Sequence, residues 1–318
     1  MILLLWMTLL QSPSEIRSAD ILDAAMECYS RGEFRRAAEI LSQRVEYSTE
    51  DATLRFWLGK SYYRLRHWND AIRELERASQ IQPANGLYHL WLGRAFGKKA
   101  EHTAFFAALG PARRVLKEFE AAVSLSPTDT HARFDLMEYY LEAPGLIGGG
   151  RDKALVQAGQ IDQLDRRLGF VARARVWEKD KDPDQALREL TQATTEFPKD
   201  KRTWSDLAGF YLDQSDYRQA ADKARKALEL GPWLKARLIL AAAQVKLGQN
   251  LVEAEQSLRV MVAGPVTDED PPFEEMHYWL GKALLEQGRK SEARQAFELA
   301  LTYNPEHAGA KSALAEVR

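Results

Sequence analysis

Gly145 and Gly150 are separated by four residues and followed by a basic residue, Arg151. Glycines at this spacing, set between a buried strand and a helix, cradle phosphate when a lysine and then a hydroxyl follow the second glycine. Here Arg151 and Asp152 occupy those two places, so both the lysine and the metal-binding hydroxyl are missing. The preceding stretch RFDLMEYYLEA has a helical pattern, not that of a strand. Asp152 suits the start of a helix and, as an anion, opposes phosphate there. The stretch reads as a turn in which Gly148–Gly150 supply positive φ. An anion or a partner carboxylate at the exposed amides of that helix start stays open as an alternative.

Other reactive residues are sparse. Cys28 is the one cysteine, which excludes an intrachain disulfide and a cysteine-based zinc site. His67, His89, His102, His131, His277 and His307 include no pair at i, i+4 spacing. No metal, cofactor or nucleotide motif is expected, and no nucleophile–base arrangement is visible. The expectation is a noncatalytic protein. With 44 basic and 46 acidic residues the net charge is −2, which argues against nonspecific nucleic-acid binding.

The elements that position these residues repeat. FWLGK (56–60), LWLGR (90–94) and YWLGK (278–282) share one pattern, and Gly59 and Gly93 stand 34 residues apart. Continuing that phase gives Ala25, Gly59, Gly93, Met137, Ala174, Ala208, Ala242 and Gly281. A second small-residue series follows twelve positions on: Ala37, Ala71, Ala186, Ala220, Ala254 and Ala293, with Val115 and Ala154 as the counterparts in the two units that carry insertions. A third runs Ala78, Ala122, Ala193, Ala227, Ala300, each followed five residues later by Pro83, Pro127, Pro198, Pro232 or Pro305. Each period holds two apolar-periodic segments of helical length. Small residues recur where two backbones must approach, and proline recurs where the second helix must stop.

The pattern resembles the tetratricopeptide repeat family, whose period is 34 residues. In residues 201–234, Trp204, Leu207, Ala208, Tyr211, Tyr217, Ala220, Ala227 and Pro232 fall on family positions, with Ala224 in place of the usual large residue. The last unit matches through Leu280, Gly281, Gly288, Ala293, Phe297, Ala300 and Pro305, and the first keeps Gly32, Phe34 and Ala37. The resemblance implies an all-α, right-handed solenoid of stacked antiparallel helix pairs over residues 18–307. Its units start near 18, 52, 86, 130, 167, 201, 235 and 274. Residues 308–318 read as a capping helix with a polar outer face. Cys28 falls at a core position of the first unit.

Three insertions interrupt the period. Residues 97–112 read as a continuation of the first helix of the third unit, stopped at Gly110-Pro111, with Phe105 and Phe106 needing a covering surface. Residues 143–150 form the glycine turn. Residues 263–273, AGPVTDEDPPF, hold three successive acids and two prolines and read as an exposed loop before the last unit, either a joint or a partner-binding loop.

In this family the first helix of each unit lines a concave groove. The resemblance therefore places Phe56, Lys60, Tyr63, Arg64, Leu90, Arg94 and Lys98 on a basic, aromatic stretch. His131, Phe134, Asp135, Glu138 and Glu142 follow on an acidic one, and Lys282 lies in the last unit. A groove that changes sign along its length would orient an extended peptide by charge. Trp57, Trp91 and Trp279 are expected to pack between repeats, with ligand contact the alternative. Lys60, Arg94 and Lys282 are expected to face a ligand, because charges at an inward position are costly unless solvated or paired. The asparagines of the family's carboxylate clamp are missing. The reading is a protein-interaction scaffold with a protein or peptide partner and no nucleic acid. The alternatives are an enzyme or enzyme-accessory subunit with a site on the solenoid, and a nucleic-acid-binding helical repeat.

Residues 1–17 begin MILLLWMTLL, too short an apolar run to span a bilayer as a helix. The run fits the apolar region of a secretory signal, and the expectation is export to the periplasm or outside the cell. It lacks a preceding positive charge and a small-x-small cleavage site. A misassigned start, or an apolar arm on the first repeat, is the alternative, and the protein would then be cytoplasmic.

Overall fold

The structure, a computed structural model, describes residues 18–103 and 105–317. The apolar segment 1–17 and the side chains of Phe105 and Phe106 lie outside the described residues. Seventeen α-helices follow one another, with no strand among the described residues. They are α1 (Ser18–Ser30), α2 (Phe34–Tyr47), α3 (Ala52–Arg64), α4 (Trp68–Ile81), α5 (Gly86–Glu101), α6 (Phe105–Leu125), α7 (Thr130–Glu142), α8 (Arg151–Leu164) and α9 (Arg166–Lys179). The rest are α10 (Pro183–Glu196), α11 (Lys201–Asp213), α12 (Tyr217–Glu229), α13 (Leu234–Leu247), α14 (Leu251–Ala263), α15 (Phe273–Glu286), α16 (Lys290–Tyr303) and α17 (Ala308–Glu316). Each helix packs on its neighbours in sequence, giving a solenoid of stacked antiparallel pairs. No helix among the described residues is long and apolar enough to cross a membrane.

The small-residue series explains the pairing. A Cβ on Gly93 would lie 2.5 Å from the Phe119 ring, and one on Gly281 would lie 2.4 Å from the Phe297 ring. Glycine on the first helix thus opens the space that a large side chain of the second helix fills. Ala37, Ala71, Ala186, Ala220, Ala254 and Ala293 are fully buried where the second helix returns the contact. Four of the five prolines are followed two residues later by the next helix's cap; after Pro232 the cap is Trp233, which makes no side-chain cap bond. Asn85 accepts from Leu87 N, Asp129 from His131 N and Ala132 N, Asp200 from Arg202 N, and His307 Nδ1 from Ala310 N. One helix is stopped and the next started within three residues.

Two insertions differ in part from expectation. Residues 98–109 extend the first helix of the third pair only as far as Glu101. α5 ends at Glu101, where His102 Nδ1 donates to Lys98 O at 2.9 Å and Thr103 Oγ1 donates to Lys99 O at 2.5 Å, closing its last carbonyls. α6 begins at Phe105 and carries Pro111 inside it at the loss of one helix bond. The segment between α14 and α15 is exposed at Pro265 and Thr267–Glu269, as an exposed loop should be, but it is also docked on the first pair. Val266 N donates to Ser30 O at 2.8 Å, and Val266 and Pro271 are buried.

That loop belongs to a larger contact, because the stack coils until its first pair meets its last. Tyr29, Phe34 and Ala37 share one buried cluster with Ala241, Val245, Phe273, Met276 and Phe297. The Phe34 ring stands edge-on to Phe273 and to Tyr303. Cys28 is partly exposed at the margin of this cluster, and burial pushes its thiol up, away from the thiolate.

Candidate functional site

The turn at 145–150 is not a phosphate cradle. Gly148 N donates to Gly145 O, Gly149 N to Pro144 O and Gly150 N to Tyr140 O, so all three amides are spent on the chain itself. Only Gly148 takes a left-handed backbone, at φ 99°. Gly149 is required by space, since a Cβ there would lie 1.7 Å from Ala143 O. Arg151 pairs with Asp180 at 2.7 Å.

The inner face of the stack holds a cavity of about 560 Å³. Its wall is built from one register position. The second residue of each first helix from α5 to α13 faces it: Leu87, His131, Arg167, Arg202 and Lys235. One turn further in lie Leu90, Trp91, Phe134 and Val171, and the rim is closed by Asp268 and Glu269 of the 263–273 loop. Arg167 Nη1 donates to Asp206 Oδ2 at 3.0 Å, and Lys235 Nζ to Asp206 Oδ1 at 3.0 Å. Arg167 Nε and Trp233 Nε1 are buried without a hydrogen-bond partner. Both nitrogens are enclosed, Arg167 Nε standing 4.0 Å from Asp200 Oδ2, and they carry a desolvation cost within the wall.

Behind Asp268 and Trp91, which line the cavity, Lys60 is 3% exposed. Its ammonium lies 4.1 Å from the Trp57 ring centre, 4.6 Å from Trp91, 4.9 Å from Tyr29 and 5.6 Å from Phe56. It donates to Asp268 Oδ2 at 2.5 Å, and Tyr29 Oη donates to Asp268 Oδ1 at 2.9 Å. Burial lowers the Lys60 pKa, with Asp268 opposing that shift. Burial, helped by Asp268, raises the Tyr29 phenol well above its usual value and keeps it a donor.

The expected groove residues separate into different places. Phe56 is buried in the core, Leu90 is buried in the cavity wall, Lys60 is enclosed, and Phe134 is half-buried in the cavity. Arg94 donates to Asp135 Oδ2 at 2.5 Å and stacks on Trp91. Burial opposes the Arg94 charge, yet Asp135 holds its pKa above the usual value. Tyr63, Lys98, Glu138 and Glu142 line a second cleft of about 420 Å³ with Arg94 and Asp135. Tyr63 is pushed up to about 12 by burial. Arg64 turns away, its guanidinium 4.6 Å from the Phe34 ring. Lys282 is half-buried and joins neither cavity.

The expected change of sign along the groove is replaced by pairing across it. Arg94 meets Asp135, Arg175 Nε donates to Glu138 at 2.9 Å, and Lys179 donates to Glu142 at 2.6 Å. Opposite charges on first helices of adjacent pairs neutralise one another locally. Trp91 is buried, and Trp57 and Trp279 are partly buried in the packing clusters. Arg167, Arg202, Lys235, Asp206 and Trp233 were not anticipated. The signal for the three cations is the recurrence of a cationic residue at the second position of successive first helices; Asp206 and Trp233 carry no such signal. Among the described residues no group of three or more histidine, cysteine or acidic side chains could hold a metal.

The chain belongs to the tetratricopeptide repeat family: models of the Tetratricopeptide repeat match residues 22–85, 58–110, 171–233 and 274–307. Among solved structures it is similar to yeast Tom70, with a TM-score of 0.63 and 15% identity over 98% of this chain and 65% of that one. Similarity to a tetratricopeptide repeat protein from Parabacteroides merdae has a TM-score of 0.49 and 14% identity, over 94% and 98% of the two chains. The Cut9–Hcn1 tetramer of the APC/C gives 0.48 and 15% identity, over 96% and 57%. The chain thus spans less than two thirds of the Tom70 and Cut9–Hcn1 chains it matches. No curated protein matches the sequence. At these identities the Tom70 likeness establishes the solenoid fold alone. Family and fold are those of protein-interaction scaffolds in general.

Proposed function

We propose that the protein is a noncatalytic scaffold that binds an extended segment of a partner protein in its inner groove. The observation that carries this reading is the groove wall itself. It combines an exposed apolar rim at Leu87, half-buried Phe134, and a row of cations in which the Arg202 and Lys235 side chains are about half exposed. Apolar surface supplies affinity and the cationic row supplies register for a carboxylate.

The test is a crosslinking capture from native cells, comparing the wild type with Leu87→Asp/Lys235→Glu. Both changes place an acid in a helix's first turn, where it is tolerated, so helicity should be unchanged. A partner held by the wild type and lost by the variant supports the groove. A partner held equally by both puts binding elsewhere, and capture by neither removes the scaffold reading.

A further inference from the structure

Lys60 is a buried cation whose carboxylate is brought by a loop 208 positions away in the chain. The two partners are not equally enclosed: the Lys60 side chain is 4% exposed and that of Asp268 is 31% exposed. Four aromatic rings, the Lys60 ammonium and the Tyr29 hydroxyl thus form a built receptor, and Asp268 reaches into it from the rim. Beside it, Glu269 lies 3.5 Å from His131 with both side chains largely exposed. The loop is organised to present these acids. Thr267 N and Oγ1 both donate to Asp270 Oδ2 at 2.8 Å, which turns Asp268 toward the stack. Between Gly264 and Pro272 the loop's own burial rests on Val266 and Pro271, while Thr267, Asp268 and Glu269 are exposed. Asp268 and Glu269 stand at one end of the cavity that continues to Arg167, Trp233 and Lys235.

We propose that the Lys60–Tyr29 receptor recognises a side-chain carboxylate on an extended acidic segment of a partner, and that the chain's own Asp268 loop is the intramolecular occupant such a segment displaces. This rests on the groove reading above and names the chemistry of the partner. A tethered occupant competes at an effective concentration on the order of millimolar. A successful competitor must therefore make contacts the loop does not. The half-exposed cations Arg202 and Lys235, further along the same cavity, supply those contacts, so the partner segment is longer than the loop and carries a second acid beyond the first.

The probe is a fluorescently labelled peptide GPVTDEDPP, the loop's own residues 264–272. It is titrated by anisotropy against the full chain and against the full chain carrying Asp268→Ala/Glu269→Ala. The disarmed chain is expected to bind at least tenfold tighter than the wild type. A peptide with Asn in place of its first Asp is expected to lose at least tenfold. Tyr29→Phe in the disarmed chain, which removes one hydroxyl and keeps the ring, is expected to weaken binding several-fold with helicity unchanged. Equal binding to both chains, no binding to the disarmed chain, or indifference to the Asn peptide overturns the proposal. Partner capture that excess peptide does not reduce removes this inference and leaves the groove reading intact. Peptide binding by a disarmed chain that captures no partner removes the groove reading instead.

Discussion

The ring of Phe273, at the start of α15, stands edge-on to the ring of Phe34, at the start of α2, with centroids 6.2 Å apart and planes at 70°. Phe273 also stacks on Tyr303 at 5.1 Å and fills the space above Gly32. One side chain therefore joins the last helix pair to the first.

Phe273→Ala is expected to cost about 3–5 kcal/mol, the range for a fully buried aromatic. Phe297→Ala should cost a similar amount, since Phe297 is also fully buried, but its cavity lies against Gly281 within the last pair. The two differ in where protection is lost. Hydrogen exchange should accelerate in α1 and α2 for Phe273→Ala and not for Phe297→Ala. Equal behaviour would show that the end-to-end contact contributes nothing.

The Lys60–Asp268 pair should respond asymmetrically. Asp268→Ala leaves an enclosed ammonium without its carboxylate, and is expected to cost roughly 3 kcal/mol. Lys60→Met leaves Asp268 with the Tyr29 hydroxyl and with water, and is expected to cost roughly 1 kcal/mol. The double variant should be more stable than Asp268→Ala alone. Urea denaturation of the three variants decides this, and equal single costs would refute the asymmetry.

His277 gives the protein a pH dependence. Burial lowers its pKa from 6.5 to about 4, its ring stacks 5.7 Å from Tyr303, and its Nδ1 has no partner. The folded ring stays neutral while the unfolded ring takes up a proton below pH 6.5. Its contribution is therefore intact above that pH and is lost as pH falls toward 4, by about 3 kcal/mol in all. His277→Phe should flatten that part of the stability–pH curve. A wild-type curve already flat between pH 6.5 and 4 would contradict it.

Two glycines of the 145–150 turn should behave differently. Gly149→Ala forces a Cβ against Ala143 O and is expected to destabilise by about 3 kcal/mol. Gly145→Ala meets nothing within 4 Å and should change stability by less than about 0.5 kcal/mol. Thermal melts of both variants check the contrast. A phosphate cradle would instead make both sensitive to added phosphate.

The fold was legible because its signals are local. Gly93 and Phe119, or Gly281 and Phe297, belong to one helix pair, and a fixed period exposes their spacing. The site was less legible. Phe56, Lys60 and Leu90 lie on first helices, yet packing buries all three and leaves second-position residues such as Arg202 and Lys235 facing the cavity. A repeat period gives the spacing of residues but not their rotation about the helix axis. Asp268 was beyond reach for another reason. Its meeting with Lys60 depends on the summed rotation of every pair between them, which no short window contains.

Repeat arrays assemble mainly through neighbours, so their length is ordinarily free to drift by whole hairpins. The meeting of the first pair with the last removes that freedom. Val266 can reach Ser30, and Phe273 can reach Phe34, only when the intervening hairpins sum to one particular rotation and rise. A chain one hairpin longer or shorter would present the same local packing and miss its own beginning. The seam is thus a ruler: it makes an additive architecture sensitive to its own count.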